Sequence, residues 1–148
     1  MSSLANGYVL RPLGPDDFGQ YCQLITTEID FGTFTSFIRD TLSPDHQVVV
    51  IEDSGGQLVG TGTIFAEKKL THGGSLMGHI ENIFVREDSR HRGLGERLVK
   101  HLISVARVQG CYRVDLNCVP ELEQFYAKAL FRRRNTSMSI LIKENFSS

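Results

Sequence analysis

The sequence predicts an α/β fold, a mixed and mostly antiparallel sheet with flanking helices. Three observations carry that prediction. Apolar β-forming runs at 47–52 and 58–67 flank Asp53-Ser54-Gly55-Gly56, a hairpin turn that makes their pairing antiparallel. A later run at 77–85 is followed by a periodic helix and then another strand, and that β-α-β order gives one parallel pair. The order over the chain reads β-α-α-β-β-β-α-β-α-β, with no repeat, low-complexity segment or linker, so residues 1–148 are expected to be a single domain.

Taken in order, Tyr8-Val9-Leu10-Arg11 reads as a first strand stopped by Pro12. Pro15-Asp16-Asp17 opens a helix with acid at its positive end, and Phe18, Tyr21, Cys22, Leu24 and Ile25 give it an apolar face. Residues 26–32 are a polar break. A second helix is expected over 35–42, with Phe34, Phe37, Ile38 and Leu42 on one side. After the hairpin, Gly60 and Gly62 mark a bend or close approach in the return strand. Residues 68–75 form a polar loop, and 77–85 the next strand. The long helix starts near Gly93–Gly95, carries Leu98, Val99, Leu102, Ile103 and Ala106 at helical spacing, and ends at Gly110. A strand at 113–118 and a short helix at 121–130 follow. The alternation of Met138, Ile140 and Ile142 predicts a last strand over 136–142.

Composition narrows the function. At 41% hydrophobic and 22% charged residues the chain is globular rather than disordered. A net charge of −1 gives no field for a nucleic-acid polymer. The basic residues are local instead, at Lys68-Lys69, Arg90-His91-Arg92 and Arg132-Arg133-Arg134, which suits a small phosphorylated ligand. Three cysteines without paired spacing argue against a disulfide framework, and they show no metal-ligand spacing with the five histidines. No apolar run approaches a membrane span, and no secretory leader is visible, so the cytoplasm is the expected compartment, with no membrane partner and no metal.

The stretch from Ile83 to Lys100 carries the chemistry. Its strand end, Gly-containing basic loop and amphipathic helix leave the helix's first amides bare, and the dipole favours an anion there. Leu98 stands where a dinucleotide fingerprint needs its third glycine. Glu96 and Arg97 stand where a nucleoside-triphosphate loop needs Lys and Ser/Thr. Arg90-x-x-Gly93-x-Gly95 resembles instead the pyrophosphate signature of the Gcn5-related N-acetyltransferases, which hold the diphosphate of acetyl-coenzyme A. An ordinary strand–turn–helix corner with surface arginines would show the same six residues.

Further segments narrow the resemblance. Gly78-His79-Ile80-Glu81-Asn82-Ile83, Gly110-Cys111-Tyr112-Arg113, Leu116-Asn117-Cys118 and Phe125-Tyr126 are similar to the glucosamine 6-phosphate N-acetyltransferase branch of that family, over nearly the whole chain. The resemblance implies the family's fold, with two central parallel strands splayed apart to admit pantetheine. It implies acetyl transfer from acetyl-coenzyme A to the amine of D-glucosamine 6-phosphate, and a homodimer with part of the sugar pocket supplied by the partner. Ile83, Phe84 and Val85 would pair with the pantetheine. Arg90, His91, Arg92, Gly93, Leu94, Gly95 and Glu96 would surround the diphosphate, and Asn117 would touch coenzyme A. Thr27, Lys69, Leu70, Thr71, His72, Glu81, Asn82, Tyr112 and Arg113 would line the sugar phosphate site. Tyr126 would face the thiol.

Two positions depart from the family pattern. Asn82 and Asn117 stand where aspartates are usual, so Glu81 is the surviving carboxylate to take the amine's proton. An exposed charge at a strand edge is the plain alternative for Glu81. Tyr126 is the candidate donor to the departing thiolate. A phenol titrates near ~10 and a thiol near ~8.5, so its hydrogen bond rather than full proton transfer is the expected help. A core ring with a surface hydroxyl is the plain alternative. Cys111 and Cys118 lack a paired histidine and are expected to be structural. An acetyltransferase for another amine, or an acyl-coenzyme A sensor without turnover, stays open on the sequence alone.

Overall fold

The computed structural model describes residues 7–143 and the backbone of Ser2 and Ser3. The chain divides into two compact units, Met1–Leu116 and Asn117–Ser148.

The first unit is built on a six-stranded sheet whose strands lie in chain order: β1 (Ser2–Ser3), β2 (Val9–Pro12), β3 (His46–Glu52), β4 (Leu58–Lys68), β5 (Leu76–Val85) and β6 (Cys111–Leu116). Every neighbouring pair is antiparallel except β5 and β6, which run parallel. The mixed, mostly antiparallel sheet is thus the one the sequence predicts. Between β2 and β3 come α1 (Phe18–Ile25) and α2 (Phe31–Asp40), and between β5 and β6 comes α3 (Leu94–Val108).

Strand alternation divides the core between the two faces of the sheet. Val48 and Val50 of β3 pack with Leu13, Leu24, Phe34 and Leu58 under α1 and α2. There Phe18 meets Phe31 and Phe34 edge-on, each pair of rings 5.3 Å apart. The opposite face is covered by α3, whose Leu98 and Leu102 are fully buried. At the start of the sheet the Arg11 guanidinium is held between Asp17 and Glu52, at 2.7 and 2.6 Å. Burial pushes the Asp17 carboxyl up, but the hydrogen bond from Arg11, the Gly14 amide and the Arg11 charge together outweigh it and hold it below the usual carboxylate range.

Several boundaries differ from expectation, each for a local reason. α2 starts four residues early because Asp30 caps it: its two oxygens accept from the Thr33 amide and hydroxyl, both at 2.8 Å. β6 runs two residues earlier than its apolar pattern suggests, from Cys111 to Leu116, which leaves Asn117 outside the strand.

In the second unit, Pro120–Leu122 forms one 3-10 turn and α4 (Glu123–Ala127) is only five residues long. Leu130 takes a left-handed conformation, φ 73°, which stops any continuation. The strand expected at 136–142 is not formed: residues 131–143 carry no strand, and Met138, Ile140 and Ile142 are 90, 82 and 80% exposed. Alternation marks a face that a sheet could bury. It does not supply the neighbouring strand that pairing requires. Among the described residues no helix is long and apolar enough to cross a membrane.

Candidate active site

The sheet opens at its parallel pair. β6 pairs with β5 only from Leu76 to Ile80. Beyond that point Glu81, Phe84 and Val85 remain in register with β4, opposite Thr63, Thr61 and Gly60, while β6 ends at Leu116. Among the described residues the β6-facing edge of β5 therefore runs without a strand partner past Ile83, Phe84 and Val85. Unpaired strand amides and carbonyls of this kind are a template for an extended polar chain.

A bulge sits at the mouth of this gap. The β4–β5 register shifts between Thr61 and Thr63, so Gly62 faces both Asn82 and Ile83. Asn82 is left-handed at φ 55°, a conformation for which asparagine is among the favoured non-glycine residues. The missing aspartate thus falls where the backbone suits asparagine. Gly62 is required on the other strand. A Cβ there would lie 2.7 Å from Ile83 Cδ1, 3.1 Å from Leu102 Cδ1 and 3.2 Å from Leu98 Cδ2.

The same strand end leads to the opening of α3. Glu87–Ser89 forms a 3-10 turn, His91 is left-handed at φ 64°, and Gly93 is the left-handed N-cap at φ 76°. No side chain caps the helix, and an added Cβ on Gly93 would meet nothing within 4 Å. Opening amides of a helix have no partners inside it, so this fifteen-residue helix presents donors and the positive end of its dipole at an open corner. Arg90 folds over the corner. Its Nε donates to the Val85 carbonyl at 2.8 Å, and its guanidinium lies 5.7 Å above the Phe84 ring. Arg92 and His91 are exposed, and Leu94 is the buried pin that anchors the loop. These groups suit a diphosphate followed by an extended amide chain.

A second cluster forms at the opposite end of β5. A register shift between Leu76 and Met77 leaves Tyr112 as the extra residue on β6, and Tyr112 and Arg113 both reach the Met77 sulfur, at 3.7 and 3.5 Å. The His72 ring stacks on Tyr112 at 4.2 Å, and the Arg113 guanidinium lies over the same ring, 5.5 Å from its centroid. His72 is itself left-handed, in the 3-10 turn His72–Gly74. Lys69 pairs with Glu67 at 3.7 Å, and Glu67 also accepts from His79 at 3.0 Å. That explains His79 without a proton-transfer role. Its hydrogen bond to Glu67, with the Lys69 charge, holds the Glu67 carboxyl below its ordinary range. The ring contacts thus gather His72, Tyr112 and Arg113 into one basic, aromatic group, with Lys69 and the exposed Leu70 and Thr71 in the loop that carries His72.

Thr27 is exposed in the link between α1 and α2, its amide bonded to the Cys22 carbonyl at 3.1 Å. In the second unit Asn117 is exposed. Tyr126 is buried with its ring edge-on to Phe125 and Phe131. Burial, then the neighbouring Cys118, pushes the Tyr126 phenol above its ordinary value, so at neutral pH it is a hydrogen-bond donor. Burial likewise raises the Cys111 thiol, with Asp45 adding to the effect, which keeps it protonated and unsuited to nucleophilic attack. Among the described residues no group of three or more His, Cys, Asp and Glu could hold a metal ion. The close approach expected at Gly62 is found, whereas sequence reasoning missed Met77 and Asp115. Each acts through a strand register, which no local motif encodes.

Comparison with known proteins adds a lineage. A family model described as the Acetyltransferase (GNAT) family matches residues 16–135. The chain is 36% identical over 143 residues to the glucosamine 6-phosphate N-acetyltransferase of Candida albicans, covering 91% of this chain and 96% of that one. It is 43% identical over 100 residues to glucosamine 6-phosphate N-acetyltransferase 1 of Oryza sativa subsp. japonica, covering 67% of this chain. The match spans 61% of the length of each of two such rice relatives. Among solved structures, the crystal structure of glucosamine-6-phosphate N-acetyltransferase from Arabidopsis thaliana superposes with a TM-score of 0.84 at 28% identity, covering 92% of this chain and 99% of that one. A Trypanosoma brucei acetyltransferase superposes at 0.82 and 26% identity, over 91% of this chain and 99% of that one.

Proposed function

From the premise that the chain belongs to the GNAT acetyltransferase family, we propose that it acetylates D-glucosamine 6-phosphate with acetyl-coenzyme A. The products are N-acetyl-D-glucosamine 6-phosphate and free coenzyme A. In this reading residues 1–148 act as one N-acetyltransferase domain. The cytoplasm is the compartment assigned, which three free cysteines support.

The observation that carries the reading is the loss of β5–β6 pairing after Ile80, directly before the uncapped start of α3. The backbone of Ile83, Phe84 and Val85 pairs with the pantetheine arm. The Arg90–Glu96 corner holds the diphosphate through amides and guanidinium charge. The sugar's amine is a competent nucleophile once positioned, so attack is direct, in a ternary complex. The sugar amine adds to the thioester carbonyl, the C–N bond forms and the C–S bond breaks. Glu81 takes the amine's proton, directly or through water. A bulge amide near Ile83 donates to the developing oxyanion, and the departing thiolate takes a proton from solvent to leave as free coenzyme A. Proximity of two bound reactants supplies much of the rate.

The phosphate of the sugar falls to Lys69, His72, Tyr112 and Arg113, with Leu70 and Thr71 in the same loop and Thr27 and Asn82 completing the pocket. The homodimer belongs to the same reading, with Glu81 of one subunit meeting the sugar whose phosphate the partner's cluster helps to hold. A dimer would also give Met138, Ile140 and Ile142 a surface to meet.

The test is thiol release from acetyl-coenzyme A by the pure protein. Glucosamine 6-phosphate is expected to support turnover, and glucosamine at least a hundredfold less per unit concentration, because a site built for phosphate leaves its cations unpaired without it. No release with the sugar phosphate overturns the reading. Equal rates with both sugars would leave an acetyltransferase for a different amine.

A further inference from the structure

Asp115 has no place in the roles above, yet it is where the phosphate cluster is tied down. It lies on β6 in register with His79. Its two oxygens accept from Arg113 Nε at 3.0 Å and Arg113 Nη2 at 3.4 Å, a forked pair that fixes the guanidinium plane. The same Nη2 meets the Met77 sulfur at 3.5 Å, and the guanidinium lies 5.5 Å from the Tyr112 ring, on which His72 stacks at 4.2 Å. Arg113 and Asp115 side chains are 32 and 37% exposed, so solvent reaches the pair and a ligand can too. Among the described residues these contacts engage Arg113 Nε and Nη2, and Nη1 is the donor they leave to a ligand. Nearby, Lys69 and His79 each pair with Glu67, at 3.7 and 3.0 Å.

We propose that Asp115 is a positioning residue: by holding the Arg113 guanidinium in a fixed plane against Met77 and Tyr112, it sets the affinity of the site for the sugar's phosphate. The inference rests on the glucosamine 6-phosphate reading above. An arginine on a flexible stem pays side-chain entropy each time it engages an anion, and a forked carboxylate partner removes most of that cost beforehand. The carboxylate also lowers the net positive charge of the cluster, so positioning and charge predict opposite signs for its removal. That opposition makes the proposal testable.

The experiment compares wild type, Asp115→Asn, Asp115→Glu, Arg113→Ala and the Arg113→Ala/Asp115→Asn pair. Wild-type turnover of glucosamine 6-phosphate is measured first, and its absence would overturn the proposed function rather than this role. Asp115→Asn is expected to raise KM for glucosamine 6-phosphate about tenfold, as for loss of one charge-assisted hydrogen bond, with kcat and the KM for acetyl-coenzyme A within about twofold. Asp115→Glu is expected to recover part of the loss, and Asp115→Asn to add nothing in the Arg113→Ala background. Glucose 6-phosphate, which keeps the phosphate and lacks the amine, is expected to bind Asp115→Asn more weakly by the same factor in calorimetry. Unchanged or tighter binding of glucose 6-phosphate would overturn the proposal. So would an equal rise in KM for acetyl-coenzyme A, or losses that simply multiply in the double variant.

Discussion

Glu81 stands opposite Thr63, one residue before the left-handed Asn82, with Ile80 buried behind it. An exposed carboxylate at a strand bulge is free to meet an amine entering the gap beside β5. Glu81→Gln is therefore expected to lower kcat by about a hundredfold or more, the ordinary worth of a general base, while the KM for acetyl-coenzyme A stays within about twofold. Steady-state kinetics with the sugar phosphate measures both. A variant with unchanged kcat would return Glu81 to a plain surface charge. Much of this site was legible in the residues themselves, because Arg90, Gly93 and Gly95 announce a helix opening and Lys69 and His72 share a glycine-flanked loop. Met77 and Asp115 were not legible. Their importance depends on the bulge that makes Tyr112 the extra residue on β6, a non-local pairing that leaves no trace in the spacing.

At the scale of elements, the gap depends on Gly62. Gly62→Ala would place a methyl 2.7 Å from Ile83 Cδ1 in a packed layer under Leu98 and Leu102. Overpacking of this kind costs about 1–3 kcal/mol, so thermal unfolding is expected several degrees lower. An unchanged midpoint would mean the bulge relaxes freely. The ion triad of Arg11, Asp17 and Glu52 is a separate element, tying the turn before α1 to β2 and β3. The Asp17 carboxyl is held below its unfolded value. Its contribution is therefore complete above an unfolded pKa of roughly 4 and is lost as pH falls through the lower folded value. Asp17→Asn is expected to be on the order of 1–3 kcal/mol less stable at pH 7, with the difference from wild type shrinking below about pH 4. Denaturant melts across pH check this, and a pH-independent gap would contradict it. Helix α3 and the β3–β4 hairpin could be read directly, since a 3.6-residue apolar period and a glycine turn are local signals. The early start of α2 depended on Asp30 reaching the Thr33 amide. The final strand failed because alternation at Met138, Ile140 and Ile142 does not create a neighbour.

At the scale of the whole molecule, the proposed homodimer divides each sugar site between two subunits. If two subunits complete each site, Glu81→Gln and Arg113→Ala chains, mixed through refolding, form heterodimers that carry one intact site. Activity at low sugar phosphate is expected to recover to about a quarter of wild type, since half of the dimers are mixed and each has one of two sites whole. No recovery on mixing would place the full site within one chain. The account as a whole stands on where the donor binds, and hydrogen exchange at single-residue resolution reads that directly. On adding acetyl-coenzyme A, the amides of Ile83, Phe84 and Val85 and those opening α3 from Leu94 to Glu96 are expected to gain protection together, with the Lys69–Ser75 loop responding only when glucosamine 6-phosphate is also present. Protection confined to other segments, with these two left unchanged, would contradict the account.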